Sequence, residues 1–87
     1  MEKVINPEEI RALFDNKIYN VGLYRNELTG AIGNCPVQVL LLQEYVYIRP
    51  YYTFLAREVA GAIAERRNQI QGFDVDLDGT SIILYRK

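Results

Sequence analysis

The spacing of apolar side chains near the start of the chain predicts a short amphipathic helix over residues 7–15. Three apolar side chains recur at the i, i+3 and i+4 spacing that places them on one face of a helix. They are Ile10, Leu13 and Phe14. Asn6 is a favourable N-cap, and Glu9 stands three residues later, as in a capping box. The helix is therefore expected to begin at Pro7.

Two β-favouring stretches follow, over residues 18–24 and 28–32, because β-branched and aromatic side chains are typical of strands. Asn26 and Glu27 are expected to turn the chain between them. A second turn is predicted over residues 33–36, where the sequence Gly-Asn-Cys-Pro contains several turn-forming residues.

Residues 37–49 allow two interpretations. As a strand, Val46 and Ile48 alternate with more polar side chains, and the β-branched and aromatic content favours extended backbone. As a helix, the apolar positions would share a face that Glu44 interrupts. The strand is the favoured interpretation, and its length predicts a bulge or bend near Gln43 and Glu44.

The clearest helix is predicted over residues 51–71. Its apolar side chains recur about every 3.6 residues and therefore form one face. They are Tyr52, Leu55, Ala56, Val59, Ala60, Ile63 and Ile70. Pro50 is expected to end the preceding strand and can open this helix, and Gly72 is placed to end it.

Residues 73–77 and 80–86 are expected to form a β-hairpin, because Asp78-Gly79 accepts the positive φ angles of a type I′ turn. The expected cross-strand pairs are Phe73 with Leu84 and Val75 with Ile82. The other face of the hairpin would carry Asp74, Asp76, Ser81, Ile83 and Tyr85.

Together these elements predict an α+β fold, in which a mainly antiparallel sheet of four to five strands packs one face against the long amphipathic helix. The expected order of elements is αβββαββ. The 87 residues should form one small domain, 1–87, because hydrophobic cores rarely divide in chains of this length. A domain this small has a thin margin of stability, so a partner or a second copy could contribute to it.

Composition excludes several classes of function. The chain has no His, which excludes sites that depend on an imidazole base and most catalytic zinc sites. Cys35 is the only cysteine, which excludes an internal disulfide and favours a reducing cytoplasm. The formal net charge of −1 predicts no strong attraction to phosphate backbones. We expect neither an enzyme nor a bound cofactor, and neither an export signal nor a membrane span.

Asp74, Asp76, Asp78 and Gly79 match the first half of a calcium-binding loop, in which carboxylates alternate and a glycine permits a sharp turn. The second half does not match, since Tyr85 stands where a bidentate glutamate is needed. An acidic, solvent-facing hairpin is therefore favoured over a weak calcium site or a carboxylate-based enzyme site.

Tyrosine is unusually frequent, with seven residues and no Trp. Tyr45, Tyr47 and Arg49 would project from one side of a strand, and Tyr51 and Tyr52 follow directly. Tyrosine offers a large contact area at low conformational entropy, and arginine adds a planar group of donors. The row is a candidate recognition surface; the equally weighted alternative is that the rings half-bury under the short helix or cover the edges of the sheet.

The same row could stack nucleobases while Arg25, Arg49 and Arg86 follow the phosphates. The chain has neither an RNA-recognition signature nor a basic stripe. Binding of single-stranded nucleic acid is therefore the runner-up to binding of a protein.

The sequence as a whole predicts a non-enzymatic protein-binding or regulatory domain, a small adaptor or inhibitor, in the cytoplasm. Its expected partner is another protein or a second copy of itself. Ala56, Ala60 and Ala64 recur every four residues and form a shallow strip. The sheet usually fills such a strip, and a helix from a second copy, in a homodimer, is the less common occupant. The expected partner-binding residues are Tyr45, Tyr47, Arg49, Tyr51, Tyr52, Asp74, Asp76 and Tyr85.

Overall fold

A computed structural model describes residues 5–15, 18–20, 27–70 and 72–86. The helices in these ranges are α1 (Pro7–Ile10) and α2 (Ala56–Arg66). The strands are β1 (Tyr19–Asn20), β2 (Glu27–Ile32), β3 (Cys35–Leu41), β4 (Tyr45–Pro50), β5 (Phe73–Asp78) and β6 (Ser81–Arg86). Short 3₁₀ turns follow α1 and flank α2, at Arg11–Leu13, Thr53–Leu55 and Arg67–Gln69.

The six strands described form one antiparallel sheet in the order β1-β2-β3-β4-β6-β5. The α+β class is confirmed, with a mainly antiparallel sheet and one long helix. The strands number one more than the four to five expected, and the order of elements is αββββαββ, because one predicted strand is in fact two.

That stretch is residues 37–49. It is extended, as favoured, and the helical interpretation is wrong. The chain bends at Gln43 and Glu44, as expected. The expectation of a single strand is wrong, since β3 and β4 form a hairpin in which the Leu42 N–H donates to the Tyr45 carbonyl at 2.9 Å. Val39 and Val46 are both fully buried. They are an odd number of positions apart and would lie on opposite faces of one regular strand, so a reversal brings both into the core.

Strand β2 begins earlier than predicted, and the turn after it is shorter than predicted. Glu27 is already the first residue of β2, and β3 begins at Cys35, so the second turn is only Gly33 and Asn34. Gly33 has φ of 61°, a value that glycine adopts readily, and a tight two-residue hairpin results. Residues 21–26, with the other expected turn, lie outside the described residues.

The first helix is shorter than the predicted range 7–15. Phe14 is already extended, with φ of −108° and ψ of 139°. Asp15 explains the early end, because its N–H donates to the Ala31 carbonyl at 2.9 Å and its carboxylate accepts from the Gly33 N–H. These tertiary hydrogen bonds tie the chain to β2 and override local helix propensity.

The long helix is also shorter than its predicted range, 51–71. Pro50 ends β4 instead of opening the helix, and the Tyr51 N–H donates to the Pro36 carbonyl at 2.8 Å, which continues the hydrogen bonding of the sheet. The buried side chains of α2 are Ala56, Val59 and Ile63. None of the helices described is long and apolar enough to cross a membrane.

The last hairpin forms, but its predicted register is wrong by two residues. Its pairs are Phe73 with Arg86, Val75 with Leu84, and Leu77 with Ile82, rather than Phe73 with Leu84 and Val75 with Ile82. The turn residues are Gly79 and Thr80, and only Gly79 has a positive φ, 63°, which matches a type II′ turn and not type I′. A shift of two keeps every side chain on its predicted face.

The two faces of the sheet differ sharply in burial. One face packs against α1, α2 and the turn after α1. Its buried side chains include Leu28, Ile32, Cys35, Val37, Val39, Val46, Ile48, Phe73, Ile82 and Leu84. On the other face none of the described residues is buried, and we call it the open face.

Candidate functional site

The open face is built from the outward-pointing side chains of all six strands. They include Tyr19, Glu27, Thr29, Gln38, Leu40, Tyr45, Tyr47, Arg49, Asp74, Asp76, Asp78, Ser81, Ile83 and Tyr85. Six of the eight residues expected to bind a partner are in this set. The exceptions are Tyr51 and Tyr52.

Leu40, Tyr47 and Ile83 form a central row across the open face. Leu40 lies directly opposite Tyr47 in the β3–β4 ladder, and Tyr47 lies opposite Ile83 in the β4–β6 ladder. Directly opposed side chains have Cβ atoms about 4.5–5.5 Å apart, so these three are in reach of each other. All three are half-buried, and no described element covers them. The row is a continuous patch of apolar and aromatic surface.

A second row crosses the face at the start of β4. Tyr45 lies opposite Tyr85, and Tyr85 lies opposite Asp74 on β5. The pKa of the Tyr85 phenol is raised, first by burial and then by the negative charge of Asp76 and a hydrogen bond to it. The phenol of Tyr85 therefore lies beside the acidic strand.

The acidic side of the open face is β5, which is an edge strand. Arg67 reaches its first carboxylate from the end of α2, with Nη1 of Arg67 2.8 Å from Oδ1 of Asp74. Asp76 interacts with Tyr85, and Asp78 is exposed. This side therefore presents fixed negative charge next to the tyrosines.

The same three aspartates do not converge as a calcium loop requires. Asp74, Asp76 and Asp78 alternate along an extended strand, so their Cα atoms follow one another at steps of about 6.8 Å. Among the described residues, no group of three or more His, Cys, Asp or Glu side chains could hold a metal ion.

The arginines expected to follow phosphates lie on different faces. Arg49 is exposed on the open face, opposite Gln38. Arg86 lies on the buried face, where its Nη2 is 2.5 Å from Oε1 of Glu9 and its guanidinium carbon is 5.0 Å from the centroid of the Phe73 ring. Arg25 lies outside the described residues. The described pair therefore offers no continuous basic track beside the tyrosines.

Three aromatic side chains cluster beyond the end of β4. Tyr51 and Tyr52 contact edge to face with ring centroids 5.2 Å apart, and Phe54 stands 5.9 Å from Tyr52. Tyr51 and Phe54 are 75% and 79% exposed. Phe54 was not among the residues expected to bind a partner. Its position outside the apolar stripe of the long helix is the signal in the sequence that indicates its exposure. Tyr19 was also missed, because the strand predicted there had no assigned register.

A cleft of about 560 Å³ opens at the end of the open face, where β4 ends and β6 begins. Its polar lining consists of Thr29, Gln38, Arg49, Thr53, Thr80 and Ser81. Tyr51 also lines it, so the cleft connects the open face to the aromatic cluster. The cleft could not be predicted from the sequence, because these residues are distant along the chain.

The alanine strip of α2 is partly occupied by the molecule itself. Ala56 is buried, and Ala60 packs against the core. Gly61, next to the strip, is exposed. The strip is therefore a weaker candidate for a docking surface than the open face.

No protein-family model matches the chain, and neither do any curated proteins or solved structures. Function is therefore inferred from the open face and the cleft alone.

Proposed function

We propose that this protein is a non-enzymatic protein-binding domain, of the small adaptor or inhibitor type, which docks a partner protein on its open face. The observation that carries the proposal is the row of Leu40, Tyr47 and Ile83, three adjacent side chains left half-exposed in the middle of a sheet. Continuous exposed patches of this kind mark interaction sites, and tyrosine is enriched in them.

The surroundings of this row have the arrangement of an interface. Tyr45 and Tyr85 flank it along one side, and Tyr19 stands on the edge strand β1, each offering an apolar ring with a polar tip. Charged side chains lie mainly at the margin, on β5 and at the start of β2. An apolar centre with a polar rim is the usual composition of a protein interface.

The charges of the open face indicate the chemistry of the partner. Among the described residues, this face carries four carboxylates, on Glu27, Asp74, Asp76 and Asp78, and one guanidinium, on Arg49. One of the four, that of Asp74, is paired with Arg67 from the end of α2. Face-to-face contact with a second copy would bring carboxylates together, which is unfavourable. The partner we propose is a different protein, with lysine or arginine side chains around an apolar or aromatic patch.

We propose the cytoplasm as the compartment in which this binding occurs. Cys35 is the only cysteine of the chain, and it is buried as a free thiol. Free thiols of this kind persist in reducing compartments.

The test is selection of peptides from a random display library on the immobilised protein, followed by affinity measurements with a synthetic copy of an enriched peptide. We expect enrichment of basic peptides with aromatic or aliphatic residues. Tyr47→Ala should weaken the binding of such a peptide about tenfold or more, because a central tyrosine carries a large share of binding energy.

The matched control is Leu77→Ala. Leu77 is also an exposed apolar residue, at 42%, but it lies on the opposite face of β5. Its loss should leave peptide affinity unchanged. Failure to enrich any peptide, or equal affinity of the wild type and Tyr47→Ala, would refute the proposal. If the wild type self-associates in sedimentation velocity and Tyr47→Ala does not, the partner is a second copy and not a basic protein.

A further inference from the structure

We propose that the cleft at the end of β4 is a binding site for a small organic anion, a compound with a carboxylate or phosphate group on an apolar body. This site shares Thr29, Gln38, Arg49 and Ser81 with the open face but does not include the central row, and neither proposal requires the other.

Arg49 supplies the charge that such a ligand needs. Four of the described arginines are ion-paired: Arg11, Arg66, Arg67 and Arg86. Arg49 makes no ion pair with any described residue, although it lines the cleft. None of the described residues that line the cleft is acidic. A guanidinium that is not held in an ion pair can bind an anion, often through two parallel hydrogen bonds.

Neutral donors surround this charge. Thr29, Thr53, Thr80 and Ser81 contribute hydroxyl groups to the lining, and Gln38 contributes an amide. Hydroxyl and amide groups can each donate hydrogen bonds to the oxygens of a carboxylate or phosphate. One cation with several neutral donors, and no acid, therefore favours an anion over a cation or an apolar compound.

The cleft is built on rigid backbone. Val37 pairs with Pro50 at the end of the β3–β4 ladder, and the Tyr51 N–H donates to the Pro36 carbonyl at 2.8 Å. The two prolines have φ fixed by their rings. A site on such backbone loses little conformational entropy when a ligand binds.

The size and rim of the cleft indicate a small molecule. Its volume of about 560 Å³ lies within the range of ligand pockets, about 300–1,000 Å³. Pro36, Val37 and Pro50 provide apolar lining, and the exposed ring of Tyr51 can stack on a flat ligand. The body of the ligand is therefore expected to be apolar or aromatic.

The experiment is a titration of the isotope-labelled protein followed by ¹H–¹⁵N NMR, with benzoate, phenyl phosphate and benzamide at constant ionic strength. Benzamide has nearly the shape of benzoate without its charge. We expect at least one anion to shift the amide signals of residues lining the cleft in a saturable way, with benzamide binding about tenfold more weakly or not at all. Comparison of the two anions distinguishes a carboxylate site from a phosphate site.

Three variants test the assignment to the cleft and to Arg49. Arg49→Gln should weaken binding of the anion about tenfold. Arg57→Gln is the matched control, because Arg57 is also exposed and makes no ion pair with any described residue, but it lies on α2 away from the cleft lining. Thr29→Val, which removes a hydroxyl at nearly constant shape, should also weaken binding, and it decides the outcome if Arg49→Gln does not fold.

Three results would overturn the proposal. They are the absence of saturable shifts at the cleft with either anion, equal binding of benzamide and benzoate, and equal losses in Arg49→Gln and Arg57→Gln. The first two of these results concern the cleft alone and say nothing against binding of the display peptide. The proposals for the cleft and for the partner site can therefore fail separately.

Discussion

Glu9 at the start of the first helix and Arg86 at the end of β6 form an ion pair of 2.5 Å, which joins α1 to an interior strand of the sheet. The pKa of Glu9 is lowered, first by the hydrogen bond from Arg86 and then by the hydrogen bond from the Asn6 N–H. The capping hydrogen bond and the ion pair therefore act on the same carboxylate.

Glu9→Gln should reduce the free energy of unfolding by about 1 kcal/mol near neutral pH. The pKa of Glu9 in the folded protein lies below its usual value of 4.5, so its stabilisation is present above pH 4.5 and is lost as the pH falls through the folded pKa. Urea unfolding of both proteins should show a difference that shrinks in this acidic range. Glu65→Gln, at an exposed residue of α2, is the control and should be neutral. A difference independent of pH would contradict the assignment.

Ile82 and Ile83 are neighbours on β6 that test which face is open. Ile82 is fully buried, and Ile83 is half-buried on the open face. Ile82→Ala should lower the free energy of unfolding by about 2–5 kcal/mol because it leaves a cavity in the core. Ile83→Ala should lower it by about 1 kcal/mol or less. Equal losses in thermal or urea unfolding would mean that the open face is covered.

Gly30 and Gly61 form a second matched pair. A Cβ added at Gly30 would lie 2.8 Å from Cγ2 of Ile18 and 3.1 Å from Cδ1 of Phe14, whereas one added at Gly61 would meet nothing within 4 Å. Gly30→Ala should therefore destabilise the fold by about 1–3 kcal/mol. Gly61→Ala, inside α2, should stabilise it by about 0.5–1 kcal/mol. Midpoints of urea unfolding measure both, and a neutral Gly30→Ala would show that the N-terminal segment does not pack there.

The titration of Tyr85 reports its contact with the acidic strand. Its pKa is raised above the usual 10.0 by burial and by Asp76. The folded state therefore keeps this proton to higher pH than the unfolded state, and stability falls as the pH rises above about 10. Asp76→Asn should lower the pKa, as measured from the ¹³Cζ shift of the ring. An unchanged pKa in Asp76→Asn would separate Tyr85 from the acidic strand.

The sequence predicted which side chains share a face better than it predicted their partners. Alternation along a strand is a property of extended backbone, so Tyr45, Tyr47 and Arg49 share a face as expected. The register of the last hairpin depends on which two residues occupy the turn, and Asp78-Gly79 and Gly79-Thr80 are both plausible turns.

Other differences arise from contacts between distant segments. The buried side chains have odd residue numbers in β3, as at Val39, and even residue numbers in β4, as at Val46. This change is the sign of the reversal between the two strands. Tyr51 and Tyr52 fall outside the helix because hydrogen bonding to Pro36 extends the sheet, which local propensity does not reveal. The cleft requires the meeting of three strand ends, and it appears only once the topology is known.

The position of β6 between β4 and β5 has a consequence for the order of folding. The ladders from β2 to β4, like that of β5 with β6, join neighbours in the chain, whereas the β4–β6 ladder spans the whole of α2. Contacts between distant segments require closure of a long loop, which slows their formation. The docking of the last hairpin onto β4 is therefore the expected late step of folding. That step completes the central row and the second row of the open face.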